Sequence, residues 1–130
     1  MIRKITEFLY VGSADDARRY GDEYDYIVSL ASPPKEHESK EFLLEDGDHN
    51  YEVFEPAVDY IIEKLDSEHT ILVHCQAGMS RSVSACIAAY VTKNNVDYNR
   101  AFEKCRHGFQ YPASQLLNSA QKYIDQHKDK

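Results

Sequence analysis

Residues 71–82, Ile-Leu-Val-His-Cys-Gln-Ala-Gly-Met-Ser-Arg-Ser, constrain this chain more than any other stretch. Four residues of strand character run without a break into a glycine-bearing loop. The loop opens a segment over 82–93 in which Val83, Cys86, Ile87, Ala88, Ala89, Tyr90 and Val91 cover almost the whole circumference of a helix. A helix apolar on most sides has to be buried, and a strand that feeds it belongs to a sheet with helices against it. Strand, loop and buried helix together therefore predict an α/β architecture.

The rest of the chain agrees. Apolar runs over 8–11, 26–30 and 42–44 predict three more strands, each edged by Gly, Ser, Pro or Asp. Ser13 followed by Asp16 resembles a capping box, so a short helix is expected over 14–20. Phe54, Ala57, Val58, Ile61, Ile62 and Leu65 fall on one face of a second helix, which places Pro56 in its first turn. Further helices are expected over 98–106, capped by Asp97 and stopped at Gly108, and over 112–126, with Leu116, Leu117, Ala120 and Ile124 inward. Strands alternating with helices, then a run of helices, predict a three-layer α/β sandwich with a central, partly parallel sheet. At 130 residues the chain leaves room for one domain, able to bury a core without disulfides.

Charge narrows the function. Fifteen Lys and Arg against 22 Asp and Glu give a net charge of −7, with no basic field to neutralise a nucleic acid. No apolar run is long enough to span a bilayer, and residues 1–5 lack the apolar core of a signal peptide. Three cysteines without a C-x-x-C pair suggest neither a disulfide framework nor a zinc site, and the histidines show no metal-ligand spacing. The expectation is a cytoplasmic monomer with no nucleic-acid or membrane partner, no metal and no cofactor.

The loop after 71–74 asks for an anion. Ligands in open α/β sheets sit beyond the carboxyl ends of strands, and a loop entering a helix presents several backbone N–H groups and the positive end of the dipole. Gln76, Ala77, Gly78, Met79, Ser80 and Arg81 would form such a cradle. Gly78 lets the backbone curl, and Arg81 adds a planar fork matched to phosphate oxygens. Cys75 lies at the base of the cradle, where dipole, amides and Arg81 favour the thiolate over the thiol, so it is the candidate nucleophile. Ser82 is placed to stabilise the sulfur when it leaves again, and His74 to orient the loop without transferring a proton. Expelling an alkoxide or phenoxide needs a proton, for which Asp46 and Asp48, after the strand expected over 42–44, are candidates. Cys86 and Cys105 read as core residues. Tyr51 and Tyr111 lie in loops near the proposed site, with ordinary packing the plainer reading of both.

His74-Cys75-Gln76-Ala77-Gly78-Met79-Ser80-Arg81-Ser82 resembles the H-C-x-x-G-x-x-R-S signature of the cysteine-dependent protein phosphatases, and its S-R-S ending resembles the dual-specificity branch. The resemblance extends over nearly the whole chain, from an opening strand and turn at 5–13 to an acid loop at 42–46 and the following helix at 54–61. It implies a protein tyrosine phosphatase-like fold and hydrolysis of phosphotyrosine and phosphoserine or phosphothreonine through a phosphocysteine. It implies Cys75 as nucleophile, Arg81 as phosphate clamp, Ser82 as thiolate-stabilising hydroxyl and Asp46 as general acid. The signature loop lacks a second basic residue, which favours phosphoprotein over lipid. The same chemistry on a lipid, a phosphoglucan or an RNA 5′ end is the alternative, as is a phosphate-binding module without turnover.

Overall fold

The computed structural model describes residues 2–44, 51–76, 80–106 and 111–127. Within them a five-stranded sheet runs in the order β1-β2-β5-β3-β4, formed by β1 (Arg3–Lys4), β2 (Leu9–Gly12), β3 (Tyr26–Ser29), β4 (Lys40–Glu41) and β5 (Ile71–His74). Only β1 is antiparallel to its neighbour. Strands β2 and β3 both pair parallel with β5, in registers that set Gly12 and Ser29 beside His74. The carboxyl ends of β2, β3 and β5 therefore meet at one edge, which is where the loop after His74 begins.

Alternation along β5 explains why its sequence is apolar throughout. Ile71 and Val73 face the large core under α2 (Tyr51–Asp66), α3 (Ser80–Asn94), α4 (Tyr98–Cys105) and α5 (Ser114–His127). Leu72 faces the other way, packing with Ile27 of β3 and Ala17 of α1 (Ala14–Tyr20). Both faces are covered, as expected of a buried parallel strand. The three-layer α/β arrangement with a central, mostly parallel sheet is the one expected from the sequence. Helix α3 occupies the middle of the thick layer, and Ser82 to Tyr90 is buried without interruption.

Both sides of the Ser13 capping box are made: Asp16 N donates to Ser13 Oγ at 3.1 Å and Ser13 N to Asp16 Oδ2 at 3.0 Å. Asp97 caps α4 as expected.

Two expectations need correction. The strand predicted over 42–44 is displaced: β4 is Lys40–Glu41, and the chain beyond it only follows the end of β3, with Phe42 N bonded to Ser29 O and Leu44 N to Leu30 O, each at 2.9 Å. The apolar residues there serve burial under α2, since Leu44 is buried and Phe42 packs on Tyr60 while Leu43 is exposed. Pro56 is not in the first turn of its helix but inside it, because α2 begins at Tyr51. Tyr51 stacks on Phe54, and its hydroxyl donates to Gln126 Oε1 at 2.8 Å, which extends the helix upstream. An interior proline costs about 3 kcal/mol, which burial of Phe54, Val58, Ile61 and Leu65 at ~1.5–3 kcal/mol each outweighs.

No helix among the described residues is long and apolar enough to cross a membrane.

Candidate active site

Cys75 follows the last residue of β5 and is 1% exposed, and Ser82, in the first turn of α3, is fully buried above it. The two meet across the loop, with Cys75 Sγ 3.3 Å from Ser82 Oγ. Seven residues apart in sequence, they touch because a parallel strand hands the chain directly to a helix lying back over the sheet.

His74 is buried, its Nδ1 3.0 Å from the Cys75 carbonyl and its Nε2 2.7 Å from Ser29 Oγ. A carbonyl can only accept, so Nδ1 carries the proton and Nε2 accepts from the Ser29 hydroxyl. Burial pushes the His74 pKa below the ordinary histidine value, which keeps the ring neutral in this one tautomer. Both ring nitrogens are thus engaged, one with the Cys75 backbone and the other with Ser29.

Arg81 reaches back across the loop. Its Nη1 donates to the carbonyl of Leu44 at 2.8 Å and its Nη2 to Gln76 Oε1 at 3.5 Å. Its Nε is buried and has no hydrogen-bond partner among the described residues. A buried guanidinium N–H without an acceptor is costly, and a tetrahedral oxyanion in the loop would supply one. Gln76 also donates from Nε2 to Ser32 Oγ at 2.8 Å. Ser80 Oγ accepts from Ala113 N at 2.8 Å, tying the loop to the segment before α5, and its carbonyl accepts from Ser84 Oγ at 2.9 Å.

The structure thus brings together Cys75, Ser82, His74, Gln76, Ser80 and Arg81. Ala77, Gly78 and Met79 of the expected cradle, and both acid candidates Asp46 and Asp48, lie outside the described residues. Leu44, whose carbonyl Arg81 holds, is the last described residue before them. Sequence reasoning missed Ser29 and Ser32. Ser29 left a signal, a hydroxyl in an otherwise apolar run that proves fully buried, whereas Ser32 left none.

Cys86 and Cys105 are buried free thiols. Burial pushes the Cys86 thiol well up, with Cys105 and Cys75 adding to the effect, and pushes Cys105 up to about 12. Tyr51 belongs to the α2–α5 contact and not to a groove. Tyr111 is exposed, its ring 5.3 Å from that of Phe102 and 5.3 Å from Arg106 Cζ. Among the described residues no group of His, Cys, Asp and Glu could hold a metal ion.

The chain resembles known proteins in sequence and in fold. A family model described as dual specificity phosphatase, catalytic domain, matches residues 23–129. Dual specificity protein phosphatase 1 of Mus musculus is 34% identical over 113 residues, covering 77% of this chain and 30% of that protein. Dual specificity protein phosphatase 4 of Homo sapiens is 34% identical over 113 residues, covering 77% and 28%. The chain therefore spans less than a third of the length of these relatives. Among solved structures, human DUSP28 superposes with a TM-score of 0.79 at 17% identity, covering 97% of this chain and 96% of that one. A mouse putative dual specificity phosphatase complexed with zinc tungstate gives 0.77 at 18% identity, covering 96% and 87%. At such identities the structural likeness is one of fold.

Proposed function

The chain belongs to the dual specificity phosphatase family, and from that premise we propose that it is a protein phosphatase that hydrolyses phosphotyrosine and phosphoserine or phosphothreonine through a phosphocysteine intermediate. The observation that carries the reading is the 3.3 Å contact of Cys75 Sγ with Ser82 Oγ at the end of a buried parallel strand, with Arg81 the residue before Ser82 in the chain.

In the first step the Cys75 thiolate attacks phosphorus, the S–P bond forms and the ester P–O bond breaks. Backbone N–H groups of the loop and Arg81 hold the non-bridging oxygens, whose charge they stabilise throughout. The leaving oxygen takes a proton from a carboxylic acid, a role assigned to Asp46. In the second step water attacks phosphorus, gives its proton to the same carboxylate, and the S–P bond breaks to release inorganic phosphate. Ser82 donates its hydroxyl to the departing sulfur, which lowers the cost of expelling it as an anion. His74, locked to Ser29 and to the Cys75 carbonyl, keeps the sulfur on its line of attack.

Two further observations support the reading. The mouse relative was crystallised with zinc tungstate, and tungstate is a tetrahedral oxyanion like phosphate. A net charge of −7 disfavours nucleic acid and anionic lipid, which favours phosphoproteins over those two classes as substrates.

The test is hydrolysis of a small aryl phosphate in the presence of EDTA, for wild type, Cys75→Ser and Asp46→Asn, over pH of about 5 to 8. Wild-type turnover without metal, an inactive Cys75→Ser and a slowed Asp46→Asn without the basic limb of its pH profile are expected. A wild type that binds oxyanions and turns nothing over would make the protein a phosphate reader instead.

A further inference from the structure

The orientation of Arg81 is set from outside the signature loop. Ser32, in the connection after β3, holds a φ of 47°, the left-handed region that non-glycine residues enter at an energetic cost. Its hydroxyl accepts from Gln76 Nε2 at 2.8 Å. The sense of that amide is fixed by its other partner: Arg81 has donors only, so Gln76 Oε1 must face Nη2, and Nε2 is left to donate to Ser32. We propose that Ser32 is a positioning residue for the phosphate clamp, fixing the Gln76 amide that in turn orients the Arg81 guanidinium; the proposal rests on the reading of this loop as a phosphate site.

The geometry divides the work between two segments. Leu44 holds Nη1 by a short bond of 2.8 Å, whereas Gln76 holds Nη2 by a long one of 3.5 Å. The firm bond fixes one corner of the planar fork, and the longer contact to Gln76 sets its tilt. Nε stays buried and unbonded among the described residues, free to take an oxyanion. Gln76 has three rotatable side-chain bonds, so without Ser32 its amide loses the fixed position from which it presents Oε1. Ser32 and Gln76 are both exposed, so they add little to the core, and removing the hydroxyl should alter oxyanion affinity and not the melting temperature. Glycine suits a φ of 47° better than serine does, so Ser32→Gly removes the hydroxyl without straining the backbone.

The experiment measures binding of inorganic tungstate by calorimetry, and KM and kcat for an aryl phosphate, in wild type, Ser32→Gly, Ser32→Asn, Gln76→Ala and the double variant Ser32→Gly/Gln76→Ala. Loss of one hydrogen bond predicts a Kd and KM raised about 3- to 10-fold in Ser32→Gly, with kcat changed far less and the melting temperature unchanged. Asparagine tolerates the left-handed region and offers an acceptor oxygen, so Ser32→Asn should recover most of the affinity. The double variant should bind no worse than Gln76→Ala alone. Should Ser32→Gly fail to fold, Gln76→Leu, which keeps the bulk and neither bond, must show the same loss. Unchanged tungstate affinity in Ser32→Gly, or additive losses in the double variant, overturns the relay while leaving the phosphate site standing. A folded wild type that binds no tungstate overturns the phosphate-site reading and the relay with it.

Discussion

Arg81 Nη1 donates to the carbonyl of Leu44 at 2.8 Å, joining the first turn of α3 to the segment that leads directly to Asp46 and Asp48. Lysine at position 81 would keep the charge but gathers its three donors on one nitrogen, without the planar fork that sets Nη1 on Leu44 and Nη2 on Gln76 and leaves Nε for an oxyanion. Arg81→Lys is expected to lower kcat/KM for an aryl phosphate by about 10²–10³-fold, the usual effect of losing a preorganised donor to a developing anion. Steady-state kinetics on the folded variant check this, and a loss under threefold would mean that charge alone suffices.

Ser82 touches the sulfur, and in the proposed mechanism its hydroxyl bonds the sulfur as it departs, so its removal should be felt most in the second step. Ser82→Ala is expected to slow breakdown of the phosphocysteine about 10- to 100-fold, the worth of a hydrogen bond to a charged group. Rapid-mixing kinetics should then show a burst of the aryl leaving group followed by a slow steady state. Equal slowing of burst and steady state would put the hydroxyl in the attack instead.

The pH dependence of stability follows from His74. Its folded pKa is depressed by burial while the unfolded value is near 6.5, so as pH falls through that value the unfolded chain binds the proton first. Stability is fully present above about pH 7 and declines below it, until the folded pKa is reached, with a limiting slope of about 1.4 kcal/mol per pH unit. Urea unfolding at a series of pH values in wild type and His74→Asn tests this. The variant is less stable at neutral pH, having lost the Ser29 bond, but its acid slope should be shallower. An unchanged slope would assign the titration to another group.

Thiol labelling separates the three cysteines. Burial holds Cys86 and Cys105 as neutral thiols, the latter pushed up to about 12, so neither should react in the folded protein at pH 8. Iodoacetate followed by mass spectrometry is expected to give one adduct, at Cys75, suppressed by tungstate. A second adduct on native protein would show that the thick layer opens.

The reciprocal bonds between Ser13 and Asp16 fix the start of α1, and with it the cover over Leu72 and Ile27. Ser13→Ala is expected to cost about 1 kcal/mol, measured by denaturant unfolding without change in kinetics. A loss of activity at unchanged stability would tie α1 to the site.

Much of this molecule was legible in the residues. The periodicities of α2 to α5, the cap of α1 and the strand at Ile71–His74 are local patterns, and local patterns set by burial and capping persist in the folded chain. Where the reading slipped, at Leu44 and Pro56, the cause was tertiary. Leu44 is apolar because it lies under a helix, and α2 passes through Pro56 because Tyr51 and Phe54 find partners upstream of it.

Sequence by itself determined the order of elements and the types of group at the candidate site, because Cys75, Arg81 and Ser82 sit within eight consecutive residues whose spacing is dictated by a strand entering a helix. Only the tertiary structure decided who holds them. Ser29, Ser32 and Leu44 come to the loop from 31 to 46 residues upstream of Cys75, in segments brought there by the parallel pairing of β3 with β5. Their bonds to His74, Gln76 and Arg81 depend on a register between strands far apart in the chain, and no periodicity within either strand encodes it.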